Sequence, residues 1–218
     1  MDMAGYIDHT LLKADATEEQ VKQLCREARE YHFASVCVNP GHTALVHRAL
    51  EGSGVRTCVV AGFPLGANMT GVKAFEAMKA VELGAEEIDM VMNIGALKEG
   101  SFHVVEGDIR TVAETVREWA ILKVIIETCL LTDEEKKKAC ELAVRAGAHY
   151  VKTSTGFSSG GATVEDVRLM RSSVEGRAKV KASGGIRSLE QALSMIEAGA
   201  ERIGTSSGVS IVKGALKI

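Results

Sequence analysis

Two lysines and an aspartate stand where a strand interior should be driest: Lys152 in "HYVKTSTGF" (149–157), Lys181 in "VKASGGIR" (180–187) and Asp89 in "EEIDMVM" (86–92). Charge among aliphatic neighbours is costly unless it is paired or its pKa moves. For either lysine alone, a plain salt bridge to an acid explains the residue as well as chemistry does. Two together favour chemistry. A free lysine, with a pKa of about 10.4, has well under about 0.1% of its amine unprotonated at neutral pH and is a poor nucleophile. A second cation in a dry site lowers that pKa, and a shift of about 3 units corresponds to roughly 4 kcal/mol of destabilised ammonium. One lysine can then attack a carbonyl to form a Schiff base while the other activates it, with Asp89 shuttling protons in the carbon–carbon step.

A second constellation is rich in glycine. "STGFSSGGAT" (154–163), "ASGGIRS" (182–188) and "GTSSGVS" (204–210) each follow a strand-like run and precede a helical one. Backbone amides and hydroxyls at helix N-termini form a natural cradle for phosphate, although tight turns alone also use such glycines.

The elements that must position these groups are short β-rich runs alternating with helical patterns. Strands are expected near 34–38, 55–60, 86–92, 121–127, 148–153, 178–183 and 200–205, and a first strand around Tyr6 to Asp8 brings the total to about eight. Thr17-x-x-Gln20, Thr132-x-x-Glu135 and Ser188-x-x-Gln191 mark helix starts, and Gly84, Gly147 and Gly199 mark helix ends. Continuously apolar strands separated by helices imply parallel pairing, in a closed (β/α)₈ barrel or an open doubly wound sheet. The barrel is favoured, because neither Gly-x-Gly-x-x-Gly after the first strand nor a Gly-Lys-Ser/Thr loop is present. Barrel chemistry gathers at the C-terminal strand ends, which here carry Asp8, His9, Thr10, Asn39, Asp89, Asn93, Glu127, Thr128, Lys152 and Lys181. The last two glycine loops follow the final two strands, the usual phosphate site of such a barrel.

Composition narrows the partners. The 218 residues are 46% hydrophobic and 4% aromatic, enough for one aliphatic core, so a single domain over 1–218 is expected. A net charge of -3 leaves no electrostatic footprint for nucleic acid or an acidic membrane. Five scattered cysteines read as buried thiols in a reducing compartment, and six histidines without His-x-His or His-Glu-x-x-His spacing argue against a metal. The start "MDMAGYIDHT" has no basic segment leading into an apolar run, so a cytoplasmic protein is expected.

These residues identify a resemblance. "IDHTLLK" (7–13), "SVCVNP" (35–40), "GFPLG" (62–66), "ELGAEEIDMVMNIGALK" (82–98), "LKVIIET" (122–128), "VKTSTGF" (151–157), "VKASGGIR" (180–187) and "RIGTSSG" (202–208) resemble, in order and over nearly the whole chain, the deoxyribose-phosphate aldolase family. The resemblance implies a TIM barrel, with a short N-terminal helical segment, and a class I aldolase. Its reaction is the reversible cleavage of 2-deoxy-D-ribose 5-phosphate to acetaldehyde and D-glyceraldehyde 3-phosphate without metal or cofactor. It also implies a homo-oligomer, dimer or tetramer, and a place in deoxyribose phosphate degradation. By resemblance Lys152 forms the Schiff base, Lys181 perturbs its pKa, and Asp89 acts with a water in proton transfer. Asp8 and Thr10 enter the polar network around the substrate, and Gly156, Gly184, Gly185, Ser206 and Ser207 match the phosphate ligands. This sequence departs in two places: Phe157 stands where some members have a phosphate-assisting lysine, and "GALKI" stands where some end in a tyrosine that aids proton transfer. The phosphate grip is then expected to rest on backbone amides, and the proton relay on Asp89 and water.

Overall fold

Short aliphatic runs separated by capped helices can satisfy their backbone only by pairing in parallel, and the computed structural model, which describes residues 2–216, closes eight such strands into a barrel in chain order. They are β1 (Ile7–Leu11), β2 (Ser35–Val38), β3 (Arg56–Ala61), β4 (Glu87–Val91), β5 (Ile121–Ile125), β6 (Tyr150–Lys152), β7 (Lys179–Ser183) and β8 (Arg202–Thr205). Closure comes from β8 pairing back onto β1, with Asp8 opposite Gly204. Outside lie α1 (Glu18–Tyr31), α2 (Thr43–Leu50), α3 (Thr70–Glu82), α4 (Ile94–Lys98), α5 (Phe102–Val116), α6 (Asp133–Arg145), α7 (Val164–Val174), α8 (Leu189–Glu197) and α9 (Gly208–Ala215). A 3₁₀ turn, Ala4–Tyr6, is the expected N-terminal helical segment. The last two residues of "GALKI" lie outside the described residues.

The helix signals are used as expected. Thr17, Thr132 and Ser188 each accept from the backbone three residues on, while Gln20, Glu135 and Gln191 return the bond, so each capping box satisfies two otherwise free amides. Gly84, Gly147 and Gly199 turn left-handed, at φ +98°, +93° and +113°. At Gly84 the requirement is also steric, because a Cβ would stand 2.3 Å from the His47 ring.

Most strand boundaries shift by a residue or two, and β1 runs to Leu11 rather than Asp8. The strand expected over 121–127 ends at Ile125, because Glu127 adopts a left-handed backbone (φ 56°) that few residues without glycine's freedom occupy. That turn aims its carboxylate at the backbone N–H and hydroxyl of Thr155 across the barrel rim.

Side chains alternate along each strand, and the two faces differ in chemistry. Outward residues such as Ile88, Met90, Leu122, Val124, Val151, Val180 and Ala182 join the aliphatic core shared with the helices. Inward residues include Asp8, Glu87, Asp89, Lys123, Lys152, Lys181 and Arg202, all buried. Charge therefore occupies the interior that aliphatic side chains ordinarily fill in this architecture.

Candidate active site

Neighbouring strands bring the charges together through register. Lys152 is the Cα partner of Lys181, Lys181 of Arg202, and Asp89 of Lys123. The Lys152 and Lys181 ammonium nitrogens each donate to Oδ2 of Asp89 at 2.7 Å, while Lys123 donates to Oδ1 at 2.8 Å. Lys181 also meets Oδ2 of Asp8 at 2.5 Å, as an ion contact without hydrogen-bond alignment. Lys123 is paired to Glu87 at 2.5 Å, and Arg202 bridges Asp8 at 2.5 Å and Glu87 at 3.1 Å. Ser35 fills a further position on Asp8 at 2.7 Å.

The local field follows from these distances. Burial by itself pushes the Asp89 carboxyl upward, but Lys123, Lys152 and Lys181 more than offset it and hold the group well below the usual carboxylate range. Asp8 behaves alike: burial raises it, and Lys181, Lys123 and Arg202 bring it down. Burial pulls the Lys181 ammonium toward neutrality, and Asp8 and Asp89 reverse that, leaving it raised above the usual lysine range. Lys123 is raised for the same reason, chiefly by Asp89 against its own burial. Lys181 is thus a fixed cation beside Lys152.

Access separates the lysines. Lys152 lines a cleft of about 350 Å³ at the C-terminal strand ends, together with Thr10, Lys13, Thr155, Gly156, Phe157, Gly184, Gly185, Arg187 and Ser206. Lys123, Lys181 and Asp89 are wholly buried beneath it. A wider depression of about 670 Å³ lies alongside, lined by His9, Glu27, Ser206, Ser207 and Lys213 but not by Lys152. His9 faces it through a bond to Glu27 at 2.7 Å.

The glycine loops bound the same cleft. Gly184 and Gly185 hold φ of +89° and +82°, a backbone that any side chain would strain. Phe157 is half exposed and packs edge-on against Phe63, ring centroids 5.3 Å apart. Two of the expected residues stand outside the lining of this cleft. Asp8 lies under the cleft rather than in it, because Lys181, Arg202 and Ser35 draw its carboxylate down into the barrel. Ser207 opens onto the neighbouring depression, since it stands at the start of α9 on that side.

Cys37 and Cys58, register partners on β2 and β3, lie with Asp89 in a group whose ligand atoms are within 4.8 Å of one another. Asp89 already receives three lysine ammonium groups, so a divalent cation there would stand among like charges. Lys123, Glu87 and Arg202 went unmarked in the sequence. Each nevertheless interrupts a strand-like run, and Glu87 and Arg202 occupy positions two before and two before Asp89 and Gly204 on the inward row.

A closed parallel barrel with one of its inward lysines open to the cleft at its C-terminal end, backed by a fixed cation and a carboxylate, defines an enzyme of the lysine-dependent, carbonyl-attacking class. Residues 3–214 match the family described as DeoC/LacD family aldolase, and the chain belongs to that family. It is 61% identical over 213 residues to a deoxyribose-phosphate aldolase of Clostridium tetani (strain Massachusetts / E88), covering 98% of this chain and 99% of that protein. It is also 61% identical to the deoxyribose-phosphate aldolase of Geobacillus sp. (strain WCH70), covering 98% and 96%. Among solved structures, the tetrameric deoxyribose phosphate aldolase from Aeropyrum pernix superposes with a TM-score of 0.92 at 36% identity, covering 98% of this chain and 91% of that one.

Proposed function

We propose that this chain is a class I aldolase that reversibly cleaves 2-deoxy-D-ribose 5-phosphate to D-glyceraldehyde 3-phosphate and acetaldehyde, with Lys152 as the Schiff-base residue. The observation that carries the assignment is how unequally the buried ammonium groups are held. Lys181 has two carboxylates and Lys123 has three, the third being Asp8 at 3.9 Å, whereas Lys152 has one contact, on an oxygen it shares with Lys181. Lys152 is thus the least compensated of the three, and it is the one that reaches the cleft.

The free amine adds to the C1 aldehyde of the open-chain sugar, and loss of water gives an iminium. The iminium withdraws the electrons of the C2–C3 bond, the C3 hydroxyl loses its proton, and that bond breaks to release glyceraldehyde 3-phosphate. The remaining two-carbon enamine takes a proton at C2, and water then hydrolyses the iminium to acetaldehyde and the free lysine. Asp89, in contact with Lys152, serves with a water as the proton carrier for these steps. Lys123 and Lys181 keep Asp89 anionic.

At the far end of the cleft, Gly156, Gly184, Gly185 and Ser206 offer backbone amides and a hydroxyl to the phosphate, with Ser207 beyond them and Thr10 beside the sugar. Lys13 and Arg187 add positive charge at the mouth, which compensates for Phe157 standing in the loop. The reading extends to a cytoplasmic, homo-oligomeric enzyme of deoxyribose phosphate degradation built as one barrel domain and needing no metal or cofactor. Among the described residues no helix is long and apolar enough to cross a membrane.

The retro-aldol assay tests it. Acetaldehyde should be released from 2-deoxyribose 5-phosphate much faster than any aldehyde from ribose 5-phosphate, whose extra hydroxyl must be rejected by specific contacts. No release from either substrate, despite binding, would mark a sugar-phosphate binding barrel instead.

A further inference from the structure

Below the cleft lies a second tier of charge that touches neither the substrate space nor Lys152 directly. Glu87 sits two residues before Asp89 on β4 and is wholly buried. Lys123 reaches it at 2.5 Å and Arg202 at 3.1 Å, with the half-exposed Arg56 guanidinium at 3.3 Å from below. Two of those cations tie it to the upper tier, Lys123 through Asp89 and Arg202 through Asp8. Unit charges inside a dry barrel are felt across such distances, because little water is present to screen them.

The groups facing Lys152 can be counted by element. Asp8 comes from β1, Glu87 and Asp89 from β4, Lys123 from β5, Lys181 from β7 and Arg202 from β8. Cys37 and Cys58 complete the enclosure as thiols, and Tyr150 lies two residues before Lys152 on its own strand, its ring 5.8 Å from the Arg202 guanidinium. Glu127 is engaged by Thr155 at the rim, while Lys13 and Arg187 stand in solvent at the mouth. The enclosed cations Lys123, Lys181 and Arg202 match the enclosed carboxylates Asp8, Glu87 and Asp89 one for one. The buried set is therefore neutral only when Lys152 is an uncharged amine.

We infer that Glu87 and Lys123 are positioning residues for catalysis, whose opposite charges set the balance that makes Lys152 shed its proton. This rests on Lys152 being the Schiff-base lysine. Removing the cation leaves an unmatched carboxylate that retains the Lys152 ammonium, and removing the anion leaves an unmatched cation that expels the proton. A purely structural role has no such sign: either substitution would loosen the barrel and lower the yield of trapped enzyme alike.

The test is reductive trapping with acetaldehyde and cyanoborohydride across a pH series, reading the modified fraction of the Lys152 peptide by mass spectrometry. Lys123→Met should raise the midpoint pH of trapping by about one unit or more, and Glu87→Gln should lower it by a similar amount. The double variant, balanced again, should return close to the parent, and Glu87→Asp should leave the midpoint in place. If Lys123→Met does not fold, Arg202→Gln removes the same charge from the other side of Glu87 and must also raise the midpoint. Midpoints that move together, or stay fixed, in variants of a parent that is trapped on Lys152 overturn this inference alone. A parent with no adduct on Lys152 overturns the Schiff-base reading and this inference with it.

Discussion

Lys152 and Lys181 converge on one atom, with both ammonium nitrogens 2.7 Å from Oδ2 of Asp89. A single carboxylate oxygen cannot fully compensate two cations, and the second carboxylate, Asp8, belongs to Lys181. The competition therefore falls on Lys152, the lysine that the cleft exposes.

Lys181→Leu removes the competing cation. Turnover should fall by about 10²-fold or more, the scale of losing an acid–base participant, and the pH at which Lys152 can be trapped should rise. The substitution also leaves Asp8 and Asp89 short of a partner, a loss of about 3–5 kcal/mol when a buried pair is broken, so folding is checked by urea titration beside the pH profile. An unchanged profile in folded protein would remove Lys181 from its role.

Acid stability follows from Asp8 and Asp89, whose carboxyls are held well below their ordinary range once the lysines offset the effect of burial. Such groups bind fewer protons folded than unfolded, so their contribution is complete above the unfolded pKa of about 3.9 and is lost as pH falls toward the depressed folded values. The urea midpoint should be insensitive to these groups from about pH 5 to 7 and decline below about pH 4. Asp8→Asn should flatten that decline while lowering stability at neutral pH. A midpoint that fell steeply between pH 7 and 5 would require titrating groups other than these.

Ser206 lies where the glycine loops meet the cleft. Ser206→Asp places a negative charge beside the proposed phosphate cradle and should raise KM for 2-deoxyribose 5-phosphate by about tenfold or more, with a smaller change in kcat. Unphosphorylated 2-deoxyribose, which lacks the charge, should be cleaved with nearly the parent's efficiency. Equal losses for both sugars would place the phosphate elsewhere.

Much of this was legible in the sequence because buried charge is conspicuous. Lys152, Lys181 and Asp89 stand out among aliphatic residues, and the capping boxes and terminal glycines delimit the strands that carry them. Lys123 carries the same signal in "LKVII", and Glu87 and Arg202 lie at strand starts, where charge usually meets solvent. The reason is geometric. In a parallel strand both faces are covered, so aliphatic neighbours do not tell which residues turn inward. Only closure and register reveal that Lys123 stands opposite Asp89 and that Arg202 reaches Asp8 and Glu87. The depth of Asp8 is hidden for a related reason: its strand position is legible, but the pull of Lys181 and Arg202 on its carboxylate is a three-dimensional fact.

The most direct measurement is borohydride reduction of the protein in the presence of acetaldehyde, followed by peptide mass spectrometry. A stable two-carbon adduct on Lys152, absent from Lys181 and Lys123 and abolished in Lys152→Met, is the expected result. No adduct, or an adduct on a different lysine, would contradict the assignment of Lys152 as the Schiff-base residue.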